Sequence, residues 1–112
     1  MREYNDTDRG TIVYNTASGN NTAVVSIAAD PDEYWAVQCI GWSFDKKPSG
    51  SKLTIEDTTN NTTLLDFTFK SDGDFCGVFE FGPVGLECSQ NATIVVSLSG
   101  TKMTKNLTVQ YA

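Results

Sequence analysis

The sequence predicts an all-β protein built from two antiparallel sheets. Eight stretches of the 112 residues alternate apolar and polar side chains with a period of two, which is typical of half-buried strands. They follow one another about 8 to 14 residues apart, separated by turn-forming clusters, and no stretch has the period of a helix. We therefore predict an eight-stranded antiparallel β-sandwich, with the jelly roll as the first interpretation and an immunoglobulin-like sandwich as the second.

All eight strands belong to one predicted domain, residues 11–112. A chain of this length buries most of its apolar surface in one core without metals or disulfides. Residues 1–10 have no periodic apolar pattern, so we expect an N-terminal arm that is flexible or is ordered by a neighbouring molecule. The predicted strands cover residues 11–15, 22–29, 34–44, 52–57, 64–69, 75–81, 92–99 and 107–111.

The first two predicted strands are short. Residues 11–15 are rich in β-branched and aromatic side chains and end before a cluster of Ser, Gly and Asn. In residues 22–29, Val25 and Ile27 share one face while Val24 lies on the other, and Asp30 and Pro31 stop the strand. The apolar residues on both faces suggest that each face of this strand has a partner.

Residues 34–57 form the predicted centre of the chain. Ile40, Trp42 and Phe44 share one face of the third strand, and Leu53 and Ile55 repeat the pattern in the fourth. A polar turn with Pro and Gly separates the two strands, so we predict that they pair as a hairpin. The start of the third strand has two interpretations: its aromatic and aliphatic residues face the opposite side, or Gly41 marks a bulge that resets the alternation.

The remaining strands each add an inward row of apolar residues, after turns such as the Asn pair before the fifth strand and the Asp-Gly cluster before the sixth. The predicted core consists of Ile40, Trp42, Phe44, Leu53, Ile55, Phe67, Phe79, Ile94, Val96, Leu107 and Val109.

Charge and composition exclude several functions. With eight Lys and Arg against fourteen Asp and Glu, the net charge is −6, which repels nucleic acid and anionic membrane surfaces. The polar N-terminus and the lack of a long apolar run predict no membrane span and synthesis in the cytoplasm. Cys39, Cys76 and Cys88 have no metal-binding spacing, so we expect free thiols and no cofactor.

Catalysis is not expected either. The chain has no His, the most common general base, so none of the three cysteines can be activated through a Cys-His pair. Asp66 and Glu80, predicted on adjacent strands, are the only carboxylate pair that would suit a glycosidase. The alternation places both on the outer surface, so we expect no enzyme activity.

Four aromatic side chains are candidates for contact with a partner, because they fall outside the predicted inward rows or on the second face of a strand. Such residues either stack on a sugar or pack at a subunit contact or against a second sheet, and the packing interpretation is favoured. The candidates are Tyr4, Tyr14, Tyr34 and Trp35.

The sequence also resembles a family. The segments IGWSF, PSGSKLTIED, FEFGPVGL, ATIVVSLSG and LTVQY, spread over residues 37–111, are similar to small phage β-sandwich proteins that act as capsid decoration, or cement, proteins. The residues that carry this resemblance are Trp42, Ser43, Pro48, Gly50, Leu53 and Pro83.

The resemblance implies a virion structural protein: a jelly-roll homotrimer that binds the major capsid protein on the outer capsid lattice and stabilises it. The expected location is therefore the capsid surface. The alternative function is a carbohydrate- or receptor-binding module of a phage fibre or tail, which would use the same sandwich.

Overall fold

A computed structural model describes residues 10–112, and all structural statements below concern these residues. Of the predicted arm, Tyr4 and the rest of residues 1–9 lie outside the described part. Gly10 belongs to the folded body, because it has a φ of 86° and a Cβ added there would collide with the carbonyl oxygen of Tyr111. Residues 10–112 contain no helix long and apolar enough to cross a membrane.

Nine strands form two antiparallel sheets. They are β1 (Thr11–Ala17), β2 (Ala23–Ile27), β3 (Ala36–Phe44), β4 (Lys52–Asp57), β5 (Thr62–Thr68), β6 (Cys76–Glu80), β7 (Leu86–Glu87), β8 (Ile94–Leu98) and β9 (Lys105–Tyr111). Sheet 1 has the order β1-β9-β3-β6, with β7 also pairing with β3, and sheet 2 has the order β2-β8-β4-β5. The prediction of an antiparallel β-sandwich is confirmed, although the two-residue strand β7 was missed.

The strand pairs are nested within one another. The first strand pairs with the last, β2 with β8, β3 with β6 and β4 with β5. A chain paired in this way is one long hairpin rolled into two sheets, which is the jelly-roll arrangement. The strand order therefore agrees with the first interpretation of the sequence rather than with an immunoglobulin-like sandwich.

The predicted hairpin of residues 34–57 is wrong. Strand β3 lies in sheet 1 and β4 in sheet 2, and the segment between them crosses from one sheet to the other. Pro48 and Ser51 are buried in this crossing, and the Ser51 carbonyl oxygen accepts a hydrogen bond from the backbone N–H of Phe69 (2.9 Å). Alternation shows which side chains face the core, but it is the same whether two strands are neighbours or face each other across the core.

Strand β3 contains the predicted irregularity at a different place. Its register with β9 shifts between Val37 and Cys39, so that Val37 and Ile40 both point into the core and both are fully buried. The bulge resets the alternation, as one of the two interpretations proposed, but it lies before Gly41.

The predicted core residues fall into two groups. Eight are buried between the sheets: Ile40, Phe44, Leu53, Ile55, Ile94, Val96, Leu107 and Val109. The other three, Trp42, Phe67 and Phe79, are half-buried and pack against the core. With the fully buried Phe69, they form an aromatic cluster whose ring centroids lie 5.0 to 5.2 Å apart.

Trp42 packs where its neighbouring strand has no side chain. Gly77 of β6 pairs with Trp42, and the indole covers the inner side of the glycine backbone. A Cβ at Gly77 would lie 2.5 Å from the Cζ2 atom of Trp42, whereas one at Gly41 would meet nothing closer than 3.8 Å. Gly77 is thus required by packing and Gly41 is not.

Replacing Gly77 by Ala should lower the free energy of unfolding by about 1 to 3 kcal/mol, because Trp42 must leave its position in a packed core. Gly41→Ala is the matched control and should change it by less than about 0.5 kcal/mol. Urea unfolding monitored by tryptophan fluorescence measures both. Equal stabilities of the two variants would show that the indole does not need the space above Gly77.

A lysine is buried at the start of β9, where the sequence predicted no inward residue. Lys105 is fully buried, and its Nζ donates hydrogen bonds to the carbonyl oxygens of Gly19 (3.0 Å), Gly100 (3.0 Å) and Met103 (2.9 Å). Burial lowers the pKa of Lys105, and the nearby Asp45 carboxylate partly offsets this effect. The ammonium group ties the β1–β2 turn to the loop between β8 and β9.

Lys105→Met keeps the apolar stem but removes the donor, leaving three carbonyl oxygens without this partner. We expect the free energy of unfolding to fall by about 2 to 4 kcal/mol. Lys52→Met is the control, since Lys52 forms a half-exposed ion pair with Asp66 (3.3 Å), worth less than about 1 kcal/mol. If both variants unfold at the same urea concentration, the buried ammonium group does not stabilise the fold.

Candidate functional site

The outward side chains of sheet 1 form the candidate site. The strand registers align them in three rows that run across β1, β9, β3 and β6. The rows are Ile12–Gln110–Cys39–Glu80, Tyr14–Thr108–Gly41–Val78 and Thr16–Asn106–Ser43–Cys76. These twelve residues are called the outer face of sheet 1.

Large apolar side chains project from this face into solvent. Tyr14 is 76% exposed, Ile12 64% and Val78 59%. These are three of the seven exposed large hydrophobic residues found among residues 10–112. Isolated apolar residues on a surface are ordinary, but several on one sheet face indicate a contact surface.

Polar side chains on the same face are already paired with one another. Thr16 Oγ1 donates to Asn106 Oδ1 (2.7 Å), and Asn106 Nδ2 donates to Ser43 Oγ (3.0 Å). In the first row the Cys39 thiol donates to Gln110 Oε1 (3.3 Å). A partner that covers the face therefore meets polar groups whose hydrogen bonds are partly satisfied within the face.

The middle of the face is a shallow depression. Gly41 has no side chain, so the surface dips between Thr108 and Val78, and Ser43 borders the dip on one side. The depression has a volume of about 380 Å³. Room of this size admits a projecting side chain from another molecule.

The outer face of sheet 1 is almost free of charge. Glu80 is the only charged residue among the twelve positions, and Glu87 of β7 is a second exposed carboxylate on the outer side of the sheet, paired with Ala36 of β3. The opposite sheet exposes Lys52, Glu56 and Asp66. The pKa of the Cys39 thiol is raised by burial and by the Glu80 carboxylate beside it, so this thiol is neutral as well.

The structure separates the predicted partner-binding aromatics. Tyr14 lies on the outer face of sheet 1, and Tyr34, 59% exposed, lies in the segment before β3. Trp35 is half-buried: its Nε1 donates to the Ala28 carbonyl oxygen (3.0 Å), and its ring packs edge-on against Tyr111 at 5.3 Å. Tyr4 lies outside the described residues. The sequence missed Ile12 and Val78, because nothing local shows that β1 and β6 contribute to one sheet.

The carboxylates considered for catalysis do not come together. Asp66 lies on β5 of sheet 2 and Glu80 on β6 of sheet 1, so the prediction that their strands are adjacent is wrong. Asp66 forms an ion pair with Lys52 instead. Residues 10–112 contain no group of three His, Cys, Asp or Glu side chains that could hold a metal ion.

A buried carboxylate lies at the end of β4. Burial by itself would raise the pKa of Asp57, but hydrogen bonds from Asn60, from the Thr59 backbone and from Ser89 outweigh it and lower the pKa below 3.8. Asn60 donates both its backbone N–H (2.9 Å) and its side-chain Nδ2 (2.8 Å). Burial and the Asp57 charge raise the pKa of Cys88 to about 11. The Asp57 carboxylate therefore stabilises the β4–β5 turn.

Asp57→Asn should therefore lower stability in a pH-dependent way. Because the folded state holds Asp57 ionised below its ordinary pKa of 3.8, the stabilisation is complete above that value and is lost as the pH falls through the folded pKa. The variant should be less stable by about 1 to 2 kcal/mol at pH 7. Urea unfolding from pH 7 to pH 2.5 should show the difference shrinking in acid, and a constant difference would contradict the assignment.

Comparisons with known proteins identify no family. No protein-family model matches the chain, and no curated protein does. Among solved structures, the periplasmic inhibitor of g-type lysozyme PliG from Aeromonas hydrophila is similar, with a TM-score of 0.44 and 9% identity over 99% of this chain and 93% of that one. FlhE has a TM-score of 0.41, with 9% identity over 90% and 95% of the two chains. A chain from the structure of tomato aspermy virus has a TM-score of 0.39, with 9% identity over 99% and 81%. At these values none of the three assigns a function.

Proposed function

We propose that this protein is a structural component of a virion, a capsid decoration protein that works by binding other proteins and not by catalysis. The observation that carries the proposal is the outer face of sheet 1: an exposed, apolar and nearly uncharged surface on an acidic protein. The face is the surface by which the protein is built into an assembly.

The distribution of charge supports a protein as the partner. The chain has a net charge of −6, yet only Glu80 is charged among the twelve positions of the face. The buried centres of protein interfaces are depleted in charged residues and enriched in aromatic ones, and Tyr14 is the most exposed large hydrophobic side chain on this face.

The preformed hydrogen bonds support the same proposal. Covering a polar group without a partner costs free energy, but the row from Thr16 through Asn106 to Ser43 pairs its side chains internally. A protein surface without matching polar groups can therefore cover this row at a smaller desolvation cost. The rows also lie on strands within a rigid sheet, so little order has to be gained on binding.

The resemblance of residues 37–111 to capsid decoration proteins suggests which assembly this is. In that role the protein binds the major capsid protein on the outside of the lattice, at the virion surface, and several copies acting together gain affinity by multivalency. The homotrimer expected from the resemblance is one of two competing predictions for the oligomeric state, and the mass of the protein in solution distinguishes it from the dimer inferred below.

The test is co-sedimentation with undecorated capsids assembled from the major capsid protein of the same phage. We expect saturable binding of the full chain. Val78→Glu places a charge on the outer face of sheet 1 and should weaken capsid binding at least tenfold, which corresponds to a loss of about 1.4 kcal/mol of binding free energy. Deleting residues 1–9 should also weaken attachment while leaving the thermal midpoint nearly unchanged.

Val24→Glu on sheet 2 is the matched control, because Val24 is also an exposed valine on an outer sheet face. Its binding should match the wild type. Absence of binding by the full chain would overturn the decoration role, and equal weakening by both variants would show that the outer face of sheet 1 is not the surface used.

A carbohydrate-binding module is the second candidate, and the surroundings of Tyr14 favour it. The exposed ring lies opposite Thr108, next to the amide of Asn106 and the hydroxyl of Thr16, a combination of stacking surface and hydrogen-bonding groups that suits a sugar. A glycan array probed with the wild type and Tyr14→Ser tests this. Saturable binding that the variant loses, without capsid binding, would establish the alternative.

A further inference from the structure

Two features of the outer face of sheet 1 are complementary in shape. Tyr14 projects from β1 and Gly41 leaves the depression on β3, and both belong to the row centred on Thr108 of β9. Because β9 lies between β1 and β3, the projection and the depression are equally far from Thr108, each about 4.8 Å away across the sheet.

We infer that the partner of this face is a second copy of the chain, packed face to face about a two-fold axis along β9, with each Tyr14 over the Gly41 depression of the other copy. Rotation by 180° about that axis exchanges the two sides of the row, so both contacts form at once. The inference rests on the proposed function in taking the outer face of sheet 1 as a protein contact surface, but it gives this face a different partner in the free protein: a second copy, which the major capsid protein replaces on attachment.

The spacing of packed sheets fits this arrangement. Two sheets stack about 10 Å apart, a distance normally filled by one side chain from each face. Opposite a glycine, a single long side chain such as Tyr14 fills the gap. In the row before it, Ile12 then meets Cys39 of the second copy, and in the row after it Thr16 meets Ser43.

Electrostatic repulsion between two copies is smaller at this face than at the more highly charged faces of the protein. Each copy has a net charge of −6, so two copies repel, and the repulsion is least where the facing surfaces carry no charge. Glu80 lies on β6 at the edge of the sheet, which keeps the two copies of this carboxylate on opposite sides of the axis. Added salt should therefore strengthen the association by screening the remaining repulsion.

The area limits the affinity. With the two-fold axis along β9, only three strands of each copy face the other copy, namely β1, β9 and β3. At ordinary strand spacing they make a face of about 14 by 20 Å. Two such faces have a flat area of about 560 Å² in total, which is below the standard size of specific interfaces and typical of weak association. We expect a dissociation constant in the micromolar range.

Sedimentation equilibrium of the full chain between about 10 and 300 µM tests the inference. The wild type should approach the dimer mass, and its apparent Kd should fall when sodium chloride is raised from about 0.05 to 0.5 M. Tyr14→Ser removes the projection, and Gly41→Gln fills the depression at a position with room for a Cβ. Each should weaken the dimer at least tenfold with an unchanged thermal midpoint.

Mixing the two variants gives a sharper test. A mixed dimer of one Tyr14→Ser copy and one Gly41→Gln copy keeps one of the two reciprocal contacts. The Gly41→Gln copy still has Tyr14, and this side chain packs over the intact Gly41 of the Tyr14→Ser copy. The mixture should therefore associate more tightly than either variant alone. Val24→Ser on the outer face of sheet 2 is the control and should dimerise like the wild type.

A monomer mass at the highest concentration would overturn the inference, and so would a trimer, because a face that packs on itself closes with two copies. Equal association of the mixture and the single variants would overturn it as well. These outcomes are separate from the proposed function: a monomer that still binds capsids keeps the decoration role, whereas a dimer without capsid binding loses it.

Discussion

The pairing of the first strand with the last is the constraint on which the rest of the structure depends. Strand β1 pairs with β9 along seven residues, and the other main pairs are nested inside this one. Contacts between distant parts of the chain are slow to form because their loops must close first. Sheet 1 is complete only when β9 lies between β1 and β3, so the candidate site requires contacts between strands that are distant in sequence.

Strand β9 supplies both the core and the site through one alternation. Its inward residues Leu107 and Val109 are fully buried, and Lys105 in the same row is tolerated because three carbonyl oxygens surround its ammonium group. Its outward residues are the middle column of the outer face of sheet 1. A one-residue change of register would move the inward residues of β9 to the outer face and its outward residues into the core. The packing that fixes the core therefore also fixes the contact surface.

The sequence predicted which side chains of each strand face the core, but it did not predict which strands are neighbours in a sheet. The inward positions of β4, β8 and β9 followed from alternation, and Leu53, Ile94 and Val109 are fully buried as expected. Alternation is a local property, so it could not reveal that β3 and β4 belong to different sheets. For the same reason Tyr14 could be named as a candidate, while its row partners Gly41 and Val78 could not. The burial of Lys105 depends on the adjacent loop and also on the carbonyl group of Gly19, which lies 86 residues away and is contained in no local pattern.

The two outer faces of the sandwich differ in a way that the core does not require. Both sheets need apolar residues only on their inner sides, and sheet 2 exposes Lys52, Glu56 and Asp66 on its outer side, as expected for a surface in water. Sheet 1 instead places Ile12, Tyr14 and Val78 there, with two carboxylates, Glu80 and Glu87, on its edge strands β6 and β7. Burial inside the fold cannot explain apolar side chains that point away from it. In the inferred dimer a second copy covers Ile12 and Tyr14, and the Gly41 depression, across β9 from Tyr14, gives that copy a defined position.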